Sequence, residues 1–307
     1  MFMSEIEHLN ILDAAFACLL LINVYLLAIS IAASRNKSWR INDDTNTNTN
    51  TSTNTNTNTT PDSPLQSSSS STSQNKTHHD NILFVIAHPD DESMFFVPTI
   101  RTLVDEPDSS VHILCLSTGN FDGLGASRTL ELHACCTGIL GIDNKYIRVI
   151  DDPVLQDGKG NVWLKEDVAK QVSVHVNLWN ITKIVTFDDY GVSGHENHCD
   201  TSRGVVHFYQ TSKWGAAGTG HNIYQLESTH MCRKYSGMFD VLRSVTQSGS
   251  QCFCSLAPWI NYAAMQAHFS QFVWYRRLFV VFSRYTYVNN LMKLPPREKV
   301  AVSGKED

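Results

Sequence analysis

The chain has 307 residues, a formal net charge of −6 at pH 7 and an isoelectric point near 6.1. This balance provides no overall basic field, so the composition argues against a nucleic-acid-binding protein. The length is more than one ordinary domain needs, but it does not clearly require two.

Eight cysteines are scattered along the chain, without a CxxC pair or a regular spacing that would indicate a disulfide framework. Several lie inside apolar runs, as Cys115 does within HILCL. This placement predicts mostly reduced cysteines buried in a core, and it favours a domain that faces the cytosol.

An apolar run extends from Ile11 to Ala33 near the N-terminus. As a helix it would be roughly 34 Å long, enough to cross a hydrocarbon core of about 30 Å. Acidic residues precede the run, and three basic residues follow it: Arg35, Lys37 and Arg40. This charge order favours an uncleaved transmembrane anchor with its C-terminal side in the cytosol, and residues 1–42 are assigned to that anchor and its flanks. The alternatives are a cleaved signal and a core helix.

Two segments have little capacity to fold. Residues 43–80 consist of Thr-Asn repeats followed by a serine run, and their side chains bury too little apolar area to offset the entropy of ordering. They predict a disordered linker that spans roughly 35 Å on average as a flexible coil. Residues 295–307 form a polar tail that we expect to be loose.

The globular domain is predicted over residues 81–294, where strand patterns alternate with helix patterns. The expected strands are Asn81–Ala87, Val111–Ser117, Tyr146–Ile150 and Lys183–Phe187, and the expected helices are Glu92–Val104, Ser127–Leu140 and Asp167–Trp179. This alternation predicts an α/β fold, a parallel sheet with helices on both faces. Ligands of such sheets bind beyond the carboxyl ends of the strands.

An aromatic and apolar stretch with basic interruptions occupies residues 257–288. Its arginines make it a poor membrane-spanning segment. The stretch is typical of a terminal helix packed on the core, and the alternative is an amphipathic helix at a lipid interface.

The first chemical motif, AHPDDE, follows directly after the first predicted strand. Three acids lie within four positions there, and carboxylates without compensation are costly to bury at the end of a core strand. Clustered carboxylates beside a histidine are typical of a metal site. The motif therefore predicts the start of an active site.

The second motif, DDYGVSGHENH, follows a later strand and ends in two histidines, His195 and His198. A catalytic zinc keeps three protein ligands and a water, and His88, Asp91 and one of these two histidines supply that number. Asp90 is then left as a general base, and the other histidine is left to donate to a developing oxyanion. An HxxH pair alone is a weak signal, but the two motifs at strand ends reinforce each other.

The third motif, STGNFDGLG, carries three glycines in seven positions, which suits a loop that a ligand approaches closely. Arg128 follows it and could bind a phosphate or hydroxyls of the substrate. The alternative is a surface pair between Arg128 and Glu131 on one helix face.

Together these motifs, with the later RKYSG at residues 233–237, resemble the PIG-L/LmbE-like deacetylase family over roughly residues 81–290. The resemblance implies a Rossmann-like α/β domain and a divalent metal, most often zinc. It implies the following roles: His88, Asp91 and His198 as metal ligands, Asp90 as general base, His195 as oxyanion stabiliser or proton donor to the amine, and Arg128 and Asp188 on the sugar side. Glu196 stands where proline is the more familiar residue, a departure that removes no ligand.

The similarity is greatest to the eukaryotic branch of this family. It implies hydrolysis of the N-acetyl group of N-acetylglucosaminyl-phosphatidylinositol to acetate and glucosaminyl-phosphatidylinositol, the second step of GPI-anchor biosynthesis. It also implies a single-pass protein of the endoplasmic reticulum membrane with its catalytic domain in the cytosol. Two alternatives remain at this point: a deacetylase of another N-acetylated amino sugar, and a non-catalytic interaction protein on the same fold.

Overall fold

The computed structural model describes residues 22–32, 79–216 and 218–295. The predicted linker lies outside these residues up to residue 78, and the polar tail lies outside them from residue 296 onward. The boundaries of the predicted domains therefore remain predictions.

A seven-stranded sheet in the order β3-β2-β1-β4-β5-β7-β6 forms the centre of the described domain. Its strands are β1 (Asp80–Ile86), β2 (Ser109–Cys115), β3 (Ile147–Val149), β4 (Lys183–Phe187), β5 (Asn222–Leu226), β6 (Ser250–Cys254) and β7 (Val288–Lys293). Residues 82–86 of β1 and all five residues of β4 are buried, as expected for central strands covered on both faces. The carboxyl ends of β1 and β4 meet at one edge of the sheet because these strands pair in parallel.

The prediction of a purely parallel sheet is wrong in one respect. β7 runs antiparallel to both of its neighbours, β5 and β6, so the sheet is mixed. The last strand is inserted between two earlier ones, an order that local sequence patterns cannot indicate.

Helices cover both faces of the sheet. They are α1 (residues 22–32), α2 (Val97–Val104), α3 (Gly125–Cys135), α4 (Lys165–Leu178), α5 (Gly191–Gly194), α6 (Glu196–Thr211), α7 (Met231–Lys234), α8 (Asp240–Thr246), α9 (Pro258–Ala267) and α10 (Trp274–Phe282). On one face α4 packs against α6, which contacts β1 and β4; on the other, α9 packs against α2 and α3. The prediction of an α/β sheet with helices on both faces is thus confirmed.

Most predicted elements occur within a few residues of their expected bounds. Two predicted helices are divided: π-helical turns occupy Glu92–Phe96 before α2 and Cys136–Leu140 after α3. Strand β7 was not predicted because two asparagines interrupt its apolar pattern. Both are fully buried and bonded to side chains: Asn289 accepts from Thr99 (Oγ1 to Oδ1 2.8 Å), and Asn290 accepts from Arg284 (2.5 Å).

The N-terminal apolar run is described only in its second half, as α1. Ala28 and Ala32 of α1 pack against α8, β6 and β7, and the Tyr25 hydroxyl donates to the Ser255 carbonyl (2.7 Å). Within the described residues, none of the helices has the length and apolar character that crossing a bilayer requires. Residues 11–21 of the predicted anchor lie outside the described residues.

Two further predictions concern the cysteines and the aromatic stretch. The seven cysteines in the described ranges are free, and five of them are buried, as predicted: Cys115, Cys135, Cys136, Cys252 and Cys254. The aromatic stretch at residues 257–288 forms two helices, α9 and α10, instead of one.

Candidate active site at the carboxyl edge of the sheet

The AHPDDE and GVSGHENH segments meet at the carboxyl ends of β1 and β4, the two central neighbouring strands. The first segment leaves β1 and turns directly into the π-helical turn before α2, while the second forms α5 and the first turn of α6. Two motifs about a hundred residues apart in the sequence therefore form one site, as their positions after predicted strands indicated.

Asp91 is fixed by the backbone of its own turn. Its Oδ2 accepts hydrogen bonds from the backbone N–H groups of Ala87 (3.0 Å) and His88 (2.9 Å), and its Oδ1 lies 3.1 Å from Nε2 of His198. Burial opposes ionisation, but the neighbouring histidines and these hydrogen bonds outweigh it and hold the pKa of Asp91 well below its usual range. A carboxylate is therefore preformed beside His198.

His198 is oriented from two sides. Its ring stacks on Phe187 with a centroid distance of 4.2 Å, and its Nδ1 lies 3.1 Å from the Gly191 carbonyl oxygen. With Nδ1 facing this carbonyl, Nε2 points to Asp91 and is the nitrogen that a bound metal would use, the arrangement typical of a metal-ligating histidine.

Gly191 makes this geometry possible. Its φ is +58°, and a Cβ at this position would come within 2.5 Å of Cβ of His198. Next to it, Val192 has φ +68°, an unfavourable value for a β-branched residue. The Ser228 hydroxyl oxygen accepts a hydrogen bond from the Val192 N–H (2.7 Å), and the buried Lys234 ammonium group donates one to the Val192 carbonyl oxygen (2.5 Å). These two bonds hold the strained Val192 backbone on both sides.

His88, His195 and His198 each contribute one ring nitrogen to a group whose three atoms lie within 4.8 Å of one another. His88 also lies close to a carboxylate, with Nδ1 3.8 Å from Oδ2 of Asp91. Imidazole nitrogens with one adjoining carboxylate are a suitable donor set for zinc and similar divalent ions. The residues present therefore fit a divalent metal. The group close enough to share one ion consists of His88, His195 and His198, with Asp91 adjoining it beside His198, so the predicted ligand set of His88, Asp91 and His198 remains a prediction.

Asp90 adopts a backbone conformation that is rare for a residue other than glycine, with φ +136°. Strain of this kind costs about 1–3 kcal/mol and is concentrated at functional sites. The Asp90 carboxylate is nearly buried, and its Oδ2 accepts from Arg128 (3.2 Å) and from Arg276 of α10. This predicted base therefore lies in the cavity between two guanidinium groups.

Arg128 is held in the site by the backbone. It donates to the carbonyl oxygens of Gly119 (2.8 Å) and Pro89 (3.0 Å) as well as to Asp90. A Cβ at Gly119, where φ is +66°, would come within 2.6 Å of the Arg128 guanidinium carbon, so the glycine admits the arginine. The alternative surface pair with Glu131 is absent, because Glu131 accepts from the N–H (2.8 Å) and hydroxyl (2.7 Å) of Ser270.

Asp188 is held by the loop that precedes His195. Its Oδ1 accepts from the Gly191 N–H (3.0 Å) and the Ser228 hydroxyl (2.5 Å), and its Oδ2 accepts from the Ser228 N–H (2.6 Å). These bonds occupy both carboxylate oxygens and shape the loop before His195. The predicted sugar contact of Asp188 remains a prediction beside this structural role.

His195 precedes α6 and lines the cavity beside the other two histidines. Burial, reinforced by the neighbouring His198 and His88, lowers the pKa of His195 to about 4. The lowered pKa favours the neutral imidazole, which can donate or accept a hydrogen bond, and the side chain is exposed toward the cavity. Glu196, the departure from the family pattern, is exposed at the first position of α6.

Two adjoining cavities of about 530 and 560 Å³ open around these residues, and they share His195, Arg128, Asp157, Tyr275 and Arg276. The first cavity has an apolar wall that includes Met94, Phe95, Leu278, Phe279 and Phe282. The second has a polar wall that includes Asp122, Lys159, Glu196, Asn197 and Gln271. The site thus offers an apolar and a polar approach to the same histidines.

Three residues of the site were not predicted from the sequence. Asp157 lies 3.4 Å from Nε2 of His88, Asn197 lies 3.1 Å from the same nitrogen, and Arg276 contacts Asp90. Asn197 stands inside the HENH motif and could have been found there. Asp157 and Arg276 come from an irregular loop and from the aromatic stretch, where no local pattern indicates the site.

Comparisons with known proteins agree with this geometry. A family model described as PIG-L, GlcNAc-PI de-N-acetylase, matches residues 83–209. A probable N-acetylglucosaminyl-phosphatidylinositol de-N-acetylase of Schizosaccharomyces pombe is 37% identical over 228 residues, which cover 72% of this chain and 89% of the relative. The chain belongs to the PIG-L family. A PIG-L relative from Bos taurus, N-acetylglucosaminyl-phosphatidylinositol de-N-acetylase, is 35% identical over 68% of this chain and 81% of its own length.

Among solved structures, the PIG-L chain is similar in fold to N,N'-diacetylchitobiose deacetylase from Pyrococcus horikoshii. The TM-score is 0.50 at 15% sequence identity, and the similarity covers 71% of this chain and 84% of the other. At this identity the comparison supports the fold alone. The family assignment rests on the sequence relatives and on the motifs that the fold brings together.

Proposed function

We propose that this protein is a metal-dependent deacetylase that hydrolyses the N-acetyl group of N-acetylglucosaminyl-phosphatidylinositol, with release of acetate and glucosaminyl-phosphatidylinositol. The observation that carries the proposal is the convergence of Asp90, Asp91 and three histidines in one cavity. The substrate is the one for which the sequence relatives are named. This reaction would be the second step of GPI-anchor biosynthesis.

His88, Asp91 and His198 would hold a divalent metal, most often zinc in such a donor set. When bound, a divalent ion supplies a Lewis acid that polarises a carbonyl group and lowers the pKa of water toward about 7. The chain contributes the orientation of its ligands: backbone N–H groups fix Asp91, and the Gly191 carbonyl and the Phe187 ring fix His198.

Asp90 would accept the proton of the attacking water. It follows the β1 strand end, adjoins the ligand Asp91 and lies in the cavity wall beside Arg128 and Arg276. Both guanidinium groups contact the Asp90 carboxylate and hold it at the cavity wall, within the site where a general base must act. Arg276 reaches the site from a separate helix, α10. An anionic substrate would compete with Asp90 for it on binding, because a guanidinium group pairs with a phosphate as well as with a carboxylate.

His195 would donate a hydrogen bond to the oxyanion that forms when the acetyl carbonyl is attacked, or relay to the leaving amine the proton that Asp90 has taken from water. Its ring lies 5.0 Å from that of His88 and 4.7 Å from that of His198, between centroids. A positioned donor of this kind typically contributes about 10²–10³ in rate.

We also propose the membrane placement that the sequence predicts: a single-pass protein of the endoplasmic reticulum with its catalytic domain in the cytosol. The support is the apolar run at residues 11–33 with basic residues on its C-terminal side. A lipid substrate provides the functional reason for such an anchor.

The test is acetate release from N-acetylglucosaminyl-phosphatidylinositol by membranes that carry the full chain. We expect release that a chelator abolishes, that zinc restores, and that the Asp90→Ala variant lacks. A parallel assay with a soluble N-acetylated amino sugar addresses the alternative substrate. Release from the soluble sugar without release from the lipid would contradict the proposed substrate, and release by Asp90→Ala at the wild-type rate would contradict the base.

A further inference from the structure

Helix α10 exposes an unusual set of large apolar side chains. Trp274 is 71% exposed and Tyr275 is 55% exposed, and three further exposed residues complete the set: Leu278, Val281 and Phe282. We call these five residues the α10 surface. In the nine residues of α10 only Val280 is buried, so this helix contributes little to the core.

The same helix forms part of the catalytic cavity. Arg276 contacts Asp90, while Phe279 packs edge-on against Phe95 with a centroid distance of 5.7 Å. The side chains of Tyr275, Leu278 and Phe282 line the cavity as well as facing solvent. The α10 surface is therefore continuous with the apolar wall of the site, and whatever covers it lies at the cavity mouth.

Helix α1 carries a second exposed apolar face, and its packed side is linked to α10 through one residue. Tyr287 packs against the α1 cluster that contains Ala28 and Ala32, and its hydroxyl donates to the Val281 carbonyl of α10 (2.9 Å). The opposite side of α1 exposes four large apolar residues: Ile22, Leu26, Leu27 and Ile31. Helix α1 is the second half of the run predicted to enter the membrane, so Tyr287 connects that run to the cavity mouth.

The composition of the α10 surface is typical of a lipid interface. Tryptophan and tyrosine place an apolar ring beside a polar atom and are enriched at the level of lipid head groups. Exposed Arg277 lies within the same helix and is suited to anionic head groups. We infer that the α10 surface lies in the interface of a bilayer containing anionic phospholipid, and that the substrate enters the cavity along it.

This inference rests on the proposed lipid substrate and extends it. A phosphoinositide remains in the bilayer by its acyl chains, so its sugar can reach the histidines only if the cavity mouth faces the head-group region. Leu278 and Phe282 border the mouth on the apolar side, and Arg276 stands between that border and Asp90. The helix would then present the glycan to the site while the acyl chains remain in the membrane.

The kinetic test compares two substrates in vesicles that carry the full chain. One is N-acetylglucosaminyl-phosphatidylinositol in a phosphatidylcholine and phosphatidylinositol bilayer, and the other is its water-soluble analogue without acyl chains. The variant is Trp274→Ser with Val281→Ser, because neither side chain lines the cavity. We expect about a tenfold loss of kcat/KM on the bilayer substrate, equivalent to about 1.4 kcal/mol, with the soluble analogue unaffected.

The matched control is Leu178→Ser, at a position that is 58% exposed at the end of α4. Leu178 precedes β4 and therefore lies near the opposite edge of the sheet from the site, so both substrates should be turned over at wild-type rates. Equal rates on the bilayer substrate for the α10 variant and this control would overturn the inference. Absence of activity on both substrates in the wild type would instead contradict the proposed function.

A second measurement does not depend on activity. Brominated phospholipids quench tryptophan fluorescence only at bilayer depth, so replacing Trp274 by Phe should remove a quenchable share of the emission. Replacing Trp214, which is held by a hydrogen bond to the Ile181 carbonyl near the amino end of β4, should leave that share unchanged. Equal quenching before and after Trp274→Phe would overturn the inference. A protein partner that covers this helix in place of lipid would give that result.

Discussion

Two buried histidine–carboxylate pairs lie on opposite sides of the AHPDDE turn, and neighbouring acids of the motif supply their carboxylates. Asp91 lies 3.1 Å from His198, and Glu92 lies 2.5 Å from His268. The first pair opens on the cavity, whereas the second is completely buried beside Cys135 in a group of three side chains that could geometrically hold an ion.

The difference lies in what surrounds each pair. The first pair lies beside two further possible metal ligands, His88 and His195, and beside a cavity with space for a substrate. Around the second pair the core is closed, and Glu92 also accepts from the Asp90 N–H (3.2 Å). We interpret the second pair as the support that holds the strained Asp90 peptide, and the first as the chemical site.

The largest expected effect comes from breaking the first pair. On the proposed function, His198→Ala should abolish acetate release and reduce bound metal, because a catalytic site of the zinc type has only three protein ligands. Metal content by elemental analysis and acetate release would be measured together, with circular dichroism to check folding. Full metal content with full activity would exclude His198 as a ligand.

On the proposed function, His195→Ala should lower kcat by about 10²–10³, the usual cost of one oxyanion donor, while the metal remains bound. The combination of retained metal and lost rate distinguishes this residue from His198. Loss of metal from His195→Ala would instead place His195 among the ligands, which its distance from His88 and His198 permits.

Breaking the second pair should reduce stability more than chemistry. His268→Ala leaves the Glu92 charge buried and unpaired, which typically costs about 3–5 kcal/mol. Urea unfolding would measure the change in free energy of unfolding, and the metal content of the folded fraction should persist. His268→Gln keeps a hydrogen-bond donor and serves as the milder control; if His268→Ala unfolds like the wild type, the support role is wrong.

A third buried carboxylate gives a prediction for pH. Burial opposes ionisation of Asp240, but Arg284 and the hydrogen bond from Arg233 (2.8 Å) outweigh it and hold the pKa of Asp240 below its usual value. The unfolded state then binds more protons in acid, so this stabilisation is complete above about pH 4 and is lost as the pH falls through the folded pKa. Urea midpoints between pH 7 and pH 3 should fall less steeply in Asp240→Asn than in the wild type.

The smallest effect is expected at the departure from the family pattern. Glu196→Pro should leave activity within about twofold and stability within about 0.5 kcal/mol. Proline suits the first position of a helix, and His195 before it already has extended dihedral angles (φ −66°, ψ 123°). Acetate release and thermal unfolding would detect a larger change, which would mean that the Glu196 charge contributes to the site.

The comparison of the two pairs also shows which contacts could be predicted from the sequence. Asp91 and His198 follow buried strands in short motifs, and parallel strands bring such ends together, so their proximity was predictable. His268 lies in the aromatic stretch, where one histidine among apolar residues gives no sign of its partner. The partner of Glu92 is settled by how α9 packs on α2 and α3, which is tertiary information.

Asp188 and Arg276 both make contacts that the local sequence pattern does not indicate. Asp188 has the position and chemistry of a substrate contact, yet Ser228, forty residues later in the chain, occupies its carboxylate. Arg276 interrupts an apolar stretch in the sequence and contacts Asp90 in the fold. Local patterns locate the strand ends, while contacts between distant segments decide which side chains fill the space beyond them.

The position of β7 has a consequence for how the protein is made. Because β7 lies between β5 and β6, the sheet cannot close before Lys293 has left the ribosome. Until then, the facing edges of β5 and β6 present unpaired backbone groups, and contacts of such large sequence separation form slowly. We therefore expect the nascent chain to be prone to aggregation until β7 is available, and its yield in cells to depend on chaperones more than that of a sheet assembled in chain order.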